Sequence, residues 1–159
     1  MRRVLKFLHT IGAIGTMGAG ACLVVLLSVT PPPSSLDRYA LMRDAMGKVA
    51  SWIFLPSLAI TLIAGLLAIG LNRAFHNAGW AWIKLATGVL LFEGALAGVM
   101  GPMGEEADQS ALALAGQVDP ATLGQTLAAE RDTLYVLLVV ATANVVLGIW
   151  RPRITRLPD

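Results

Sequence analysis

Two ionisable side chains stand inside a stretch apolar enough to cross a bilayer. In WAWIKLATGVLLFEGALAGVMG, residues 80–101, Lys84 lies near the start and Glu93 past the middle. A hydrocarbon core takes about 20 apolar residues to span as a helix, at about 1.5 Å rise per residue. A charged group inside such a span costs roughly 3 kcal/mol on insertion scales, so each is a candidate for proton transfer, ion pairing or ligand binding. The two are nine positions apart, and steps of about 100° per residue put them on opposite faces of one helix. They therefore do not neutralise each other. Glu93 lies about 12 Å from the nearer end of its span by the same rise. Its carboxyl must be protonated, be paired across a bundle, or face a partner chain.

His9 and Asn144 are further polar groups within apolar runs. Histidine is a metal and haem ligand as well as a proton carrier. Asparagine in a membrane helix bonds across to its neighbours. Met17, Met100 and Met103 are soft donors of the kind copper(I) or haem iron accepts. Each has an ordinary alternative. Lys84 can snorkel to the headgroups, His9 can bond a backbone carbonyl, and the methionines can simply pack. The sequence has no HExxH, no paired CxxC, no nucleophile elbow and no phosphate-cradling glycine loop. Cys22 is the single cysteine, so no disulfide forms within the chain, and its apolar setting predicts a small buried hydrophobe.

Four helices must hold these groups. The chain has 159 residues and is 56% hydrophobic and 14% charged, with mean hydropathy +0.69. Soluble domains are about a quarter charged, so this is a membrane composition. The expected fold is all-α: an integral membrane four-helix bundle in one domain. Its spans are read as residues 4–29, 49–71, 80–101 and 133–150, with an acidic interval at 102–132 on the outer side. Gly12, Gly15, Gly18 and Gly20 give the first span small surfaces for close helix packing. Pro31, Pro32 and Pro33 end it. LDRYALMRDAMGKV, residues 36–49, follows as a short amphipathic helix after Ser34 or Ser35, lying along the membrane surface and running into the second span. Pro56 should kink the second span, with Ser57 and Thr61 near the freed backbone groups. The connector NRAFHNAG is short enough to make spans two and three antiparallel neighbours. Asp119-Pro120 resembles a cap, predicting one or two short helices over the outer mouth.

Lysine and arginine set the orientation. Arg2, Arg3, Lys6, Arg73, Arg151, Arg153 and Arg156 gather at one end; Arg38, Arg43, Lys48 and Arg131 lie at the other with most of the acids. Both termini are therefore read as cytoplasmic. Trp52, Trp80, Trp82 and Trp150 fit aromatic belts. His9, Lys84 and Asn144 then share one depth, some 6 to 9 Å inside the cytoplasmic boundary. Three polar side chains on three helices at one level predict a shared pocket. No basic face with interleaved aromatics appears, so nucleic acid is not an expected partner.

The stretch LKFLHTIGAIGTMGAG resembles bacterial four-helix predicted integral membrane proteins of unknown function, with Lys6-x-x-His9 ahead of a small-residue helix. SWIFLPSLAITLIAGLLAI continues that likeness. WAWIKLATGVLL is similar to the third-helix opening of two further groups, the membrane domain of copper-resistance protein D and HemJ-type protoporphyrinogen oxidases. The resemblance covers Lys6 to about Gly101. It implies a bacterial inner-membrane protein with a redox or cofactor role. Haem b would be held by His9 as axial ligand, with Lys84 paired to a propionate and Asn144 beside them; copper is the other implied metal. Lys84 and Glu93 would be the catalytic and proton-carrying groups. The chain departs from a bis-histidine pattern, because no second histidine lies within a span; His76, a methionine or an open position would complete the iron. Two other readings are an accessory subunit or homo-oligomer that buries its glycine-rich faces against partner chains, and transport of copper.

Overall fold

The structure, a computed structural model, describes residues 2–150. The basic residues Arg151, Arg153 and Arg156 lie outside the described residues. Every regular element described is helical. Four helices are long and apolar enough to cross a membrane: Arg2–Ser28, Leu36–Leu71, Gly79–Leu114 and Pro120–Trp150. The fold is thus an all-α membrane four-helix bundle. In chain order the α-helical segments are α1 (Arg2–Ser28), α2 (Leu36–Val49), α3 (Leu55–Leu71), α4 (Gly79–Ala95), α5 (Gly101–Leu114) and α6 (Leu127–Trp150). Helix α1 packs on α3 and α6, and α4 packs on α3 and α6, closing a four-sided ring. The large apolar side chains on its outside, among them Ile14, Ile63, Leu90 and Val139, are exposed on all four members. That pattern suits helices surrounded by lipid.

Two prolines shape the middle members of the ring. A proline inside a helix lacks the N–H for the preceding turn and clashes with that turn's carbonyl. Here a single π-turn precedes each one. Ala50–Phe54 lies before Pro56 and Leu96–Met100 before Pro102, with Leu55 N–H bonding Ala50 O and Gly101 N–H bonding Leu96 O. The wider turn absorbs the missing bond, and the helix carries on. The freed backbone is thus not left to Ser57 and Thr61; the Thr61 hydroxyl donates to Ser57 O at 2.8 Å.

This continuity changes the boundaries expected from sequence. Residues 36–49 do run into the second span, but as the first part of one 36-residue helix and not as a helix laid along the surface, and α4 runs through Pro102 into α5. At about 1.5 Å per residue each of these helices is about 54 Å long, far more than a bilayer core of about 30 Å. Their far ends, α2 and α5, pack on each other beyond the spans, with Ala107 and the Met103 carbonyl facing Gly47. The acidic interval is therefore largely helix. Helix α5 ends in a Schellman turn at Gly116, whose φ of 73° needs glycine, with Gln117 N–H on Leu112 O. Asp119 then caps a short 3₁₀ turn at Pro120–Thr122 through Ala121 N–H. Cys22 is exposed on the outside of α1, contrary to the buried position its setting suggested. The Leu23 beside it takes the core position instead.

Candidate functional site

The close approach of α1 and α3 places the first candidate side chain. A Cβ built on Gly12 would lie 2.5 Å from Thr61 Oγ1 and 2.7 Å from Ser57 O, and one on Gly15 would collide with the Ser57 side chain. Glycine alone lets the two backbones come this near. One turn before Gly12, the His9 ring lies over Gly65 and its Nδ1 bonds Thr61 O at 2.8 Å. A carbonyl oxygen can only accept, so Nδ1 carries a proton, and in the neutral ring Nε2 keeps its lone pair.

Across the ring, Lys84 does not snorkel towards the headgroups. Its Nζ reaches α6, donating to Asn144 O at 2.8 Å and lying against Gly148. The Asn144 side-chain oxygen accepts from Thr87 Oγ1 at 2.9 Å. Lys84 and Asn144 thus tie α4 to α6, as His9 ties α1 to α3.

Between these two ties the bundle opens. A cavity of about 670 Å³ lies at the end of the ring where α1 begins and α6 ends; His9, Lys84 and Asn144 all line it. Arg2 and Lys6 line it too, while Leu58, Leu91 and Ala141 lie on its deeper wall. The volume is in the range of small-molecule and cofactor sites, which are mostly apolar with a few placed polar groups. The main packed core lies towards the other half, around Leu23, Leu27, Met46, Phe54, Val99 and Leu134.

Other candidates fall elsewhere. Glu93 is exposed on the outside of α4 and does not line the cavity. The expected proton-carrying residue thus stands apart from the wall that Lys84 lines: with Lys84 turned inward, nine residues of helix carry Glu93 to the opposite, outward face, as the spacing predicts. His76 bonds Ile69 O at 3.0 Å in the exposed connector. Met17 lines the cavity, but Met103 is fully buried in the core of the other half and Met100 packs against that core. Among the described residues no group of three or more His, Cys, Asp or Glu gathers to hold a metal ion.

A scan against protein-family models, a search of curated proteins and a search of solved structures each returned no match. Any reading of the site rests on its own residues.

A second polar cluster, not singled out from sequence, lies where α2, α5 and α6 meet beyond the spans. Arg43 forks onto Glu130, with Nη1 to Oε2 at 2.8 Å and Nη2 to Oε1 at 2.7 Å, both side chains fully buried. Thr126 Oγ1 also donates to Glu130. Tyr39 O–H and Gly124 N–H both donate to Glu106 Oε1, at 2.5 and 2.6 Å. Burial, reinforced by that carboxylate, pushes the Tyr39 hydroxyl above the ordinary phenol range. These bonds fasten the loop after α5 to the outer helices. The available signal was Arg43 at helical spacing from Tyr39, a face that sequence alone read as interfacial.

Proposed function

We propose that this is a bacterial inner-membrane protein with cytoplasmic termini that binds a flat, apolar ligand bearing acidic groups, b-type haem being the occupant its residues fit. The observation that carries this is His9: an imidazole on the wall of a largely apolar cavity, its Nδ1–H held by the Thr61 carbonyl. Histidine ligands are typically fixed in this way through the ring nitrogen that does not bind the metal. Nε2 of His9 would hold the iron, and Met17 is the other soft donor on the same wall. Arg2 and Lys6 would meet the ligand's carboxylates, and the Lys84 ammonium adds positive charge between the helices. A bound haem would supply one-electron chemistry. The protein's part is to orient the group, exclude water and keep the imidazole neutral at Nε2.

The test is optical. Protein purified in detergent from cells supplied with haem, or titrated with hemin, should show a Soret band. His9→Ala should remove that band, while His76→Ala should leave it. Colourless wild-type protein after both treatments would overturn the reading. The accessory-subunit reading is favoured by a different observation, the exposed position of Glu93 within an apolar span, which points to association with another chain.

A further inference from the structure

Glu93 lies between the buried Leu91 and Ala95 yet is itself exposed. No hydrogen bond or ion pair joins its carboxyl group to another described residue. A carboxyl group facing hydrocarbon without a partner is costly. The residues sharing its face are Ile83, Ala86, Leu90 and Ala97, all exposed. With Glu93 they recur at alternating steps of three and four residues, the spacing of a seam between two helices. Ala86 and Ala97 are small enough for a neighbouring backbone to come near.

We propose that this face of α4 is a two-fold interface with a second copy of the chain, the two Glu93 carboxyls hydrogen-bonded to each other at the axis. Two copies inserted with the same topology are related by an axis along the membrane normal, so their α4 helices run parallel. Identical residues then meet at identical depth, as an isologous contact requires. A carboxylic acid in its acid form carries both a donor and an acceptor, so two of them satisfy each other without any further group. A different partner chain would have to bring its own donor to this level. The proposal deepens the association reading above and uses no residue of the cavity wall.

The experiment reads mass and proximity. In detergent, size-exclusion chromatography with light scattering should give wild-type protein at twice the 16.7 kDa chain mass. Glu93→Gln, whose amide both donates and accepts, should stay dimeric. Glu93→Leu should dissociate on the order of tenfold more readily. In membranes, a Cys22→Ser chain carrying Leu90→Cys or Ala97→Cys should form disulfide-linked dimers on mild oxidation. Ile63→Cys on α3 and Val139→Cys on α6 should not. The proximity assay leaves Glu93 intact, so it holds even if Glu93→Leu folds poorly. Monomeric wild type, equal cross-linking from Ile63→Cys, or cross-linked products of a mass other than twice the chain would overturn the proposal. Because none of these readouts is an absorbance, failure here is separate from failure of the haem reading.

Discussion

Arg43→Met should lower the thermal unfolding midpoint in detergent by roughly 10 °C or more, and Glu130→Leu should do about the same. Each single change strands the other member of a fully buried ion pair, and an uncompensated buried charge costs about 3 to 5 kcal/mol. For a chain of this length each kcal/mol corresponds to roughly 2 to 4 °C. The double variant Arg43→Met/Glu130→Leu should recover most of the loss. Two apolar side chains of similar bulk need no partner, and a buried pair returns little beyond its own desolvation cost. Arg43 Nε already lacks a hydrogen-bond partner in its buried setting, which lowers the net value of the intact pair further. Circular dichroism melts of the wild type, both singles and the double give the coupling directly. A double variant no better than the worse single would show that the charges themselves hold α2 to α6.

The apolar runs made the membrane bundle legible, because 20 greasy residues in a row have few other uses. The level shared by His9, Lys84 and Asn144 could also be derived, since helical rise converts residue counts into depth. Direction was harder to read. Lys84 turns inward to α6 and Glu93 outward to the lipid side, although both lie in the same apolar run; only the partner helix decides which face is inside. The helix boundaries failed for a definite reason. From sequence the second span begins at residue 49 and the third ends at 101, and nothing local announces that a π-turn will carry each helix on through Pro56 and Pro102. Once the helices continue, α2 and α5 run on together and pack against each other. The Arg43–Glu130 pair then follows from an 87-residue separation that no helical period can reveal.

Gly12→Leu should cost about 1 to 3 kcal/mol, the usual range for overpacking a tight contact, and should abolish hemin binding along with it. Glycine within a helix normally costs about 0.5 to 1 kcal/mol relative to alanine, so on propensity alone even Gly12→Ala would be an improvement. The structure reverses that sign. The nearest atoms to a new Cβ include the Ser57 carbonyl oxygen at 2.7 Å and the Thr61 amide nitrogen at 3.0 Å. Backbone atoms cannot rotate away, so α3 itself must retreat. That retreat pulls the Thr61 carbonyl from His9 Nδ1, because the hydrogen bond and the glycine contact share one residue of α3. Gly18→Leu is the matched control: nothing lies within 4 Å of its Cβ, and its effect should stay within about 0.5 kcal/mol, as for ordinary surface changes. Thermal midpoints and hemin titrations of the three proteins make the comparison. If Gly12→Leu and Gly18→Leu melt together, the α1–α3 contact is looser than drawn, and the imidazole is not held by the helix that faces it.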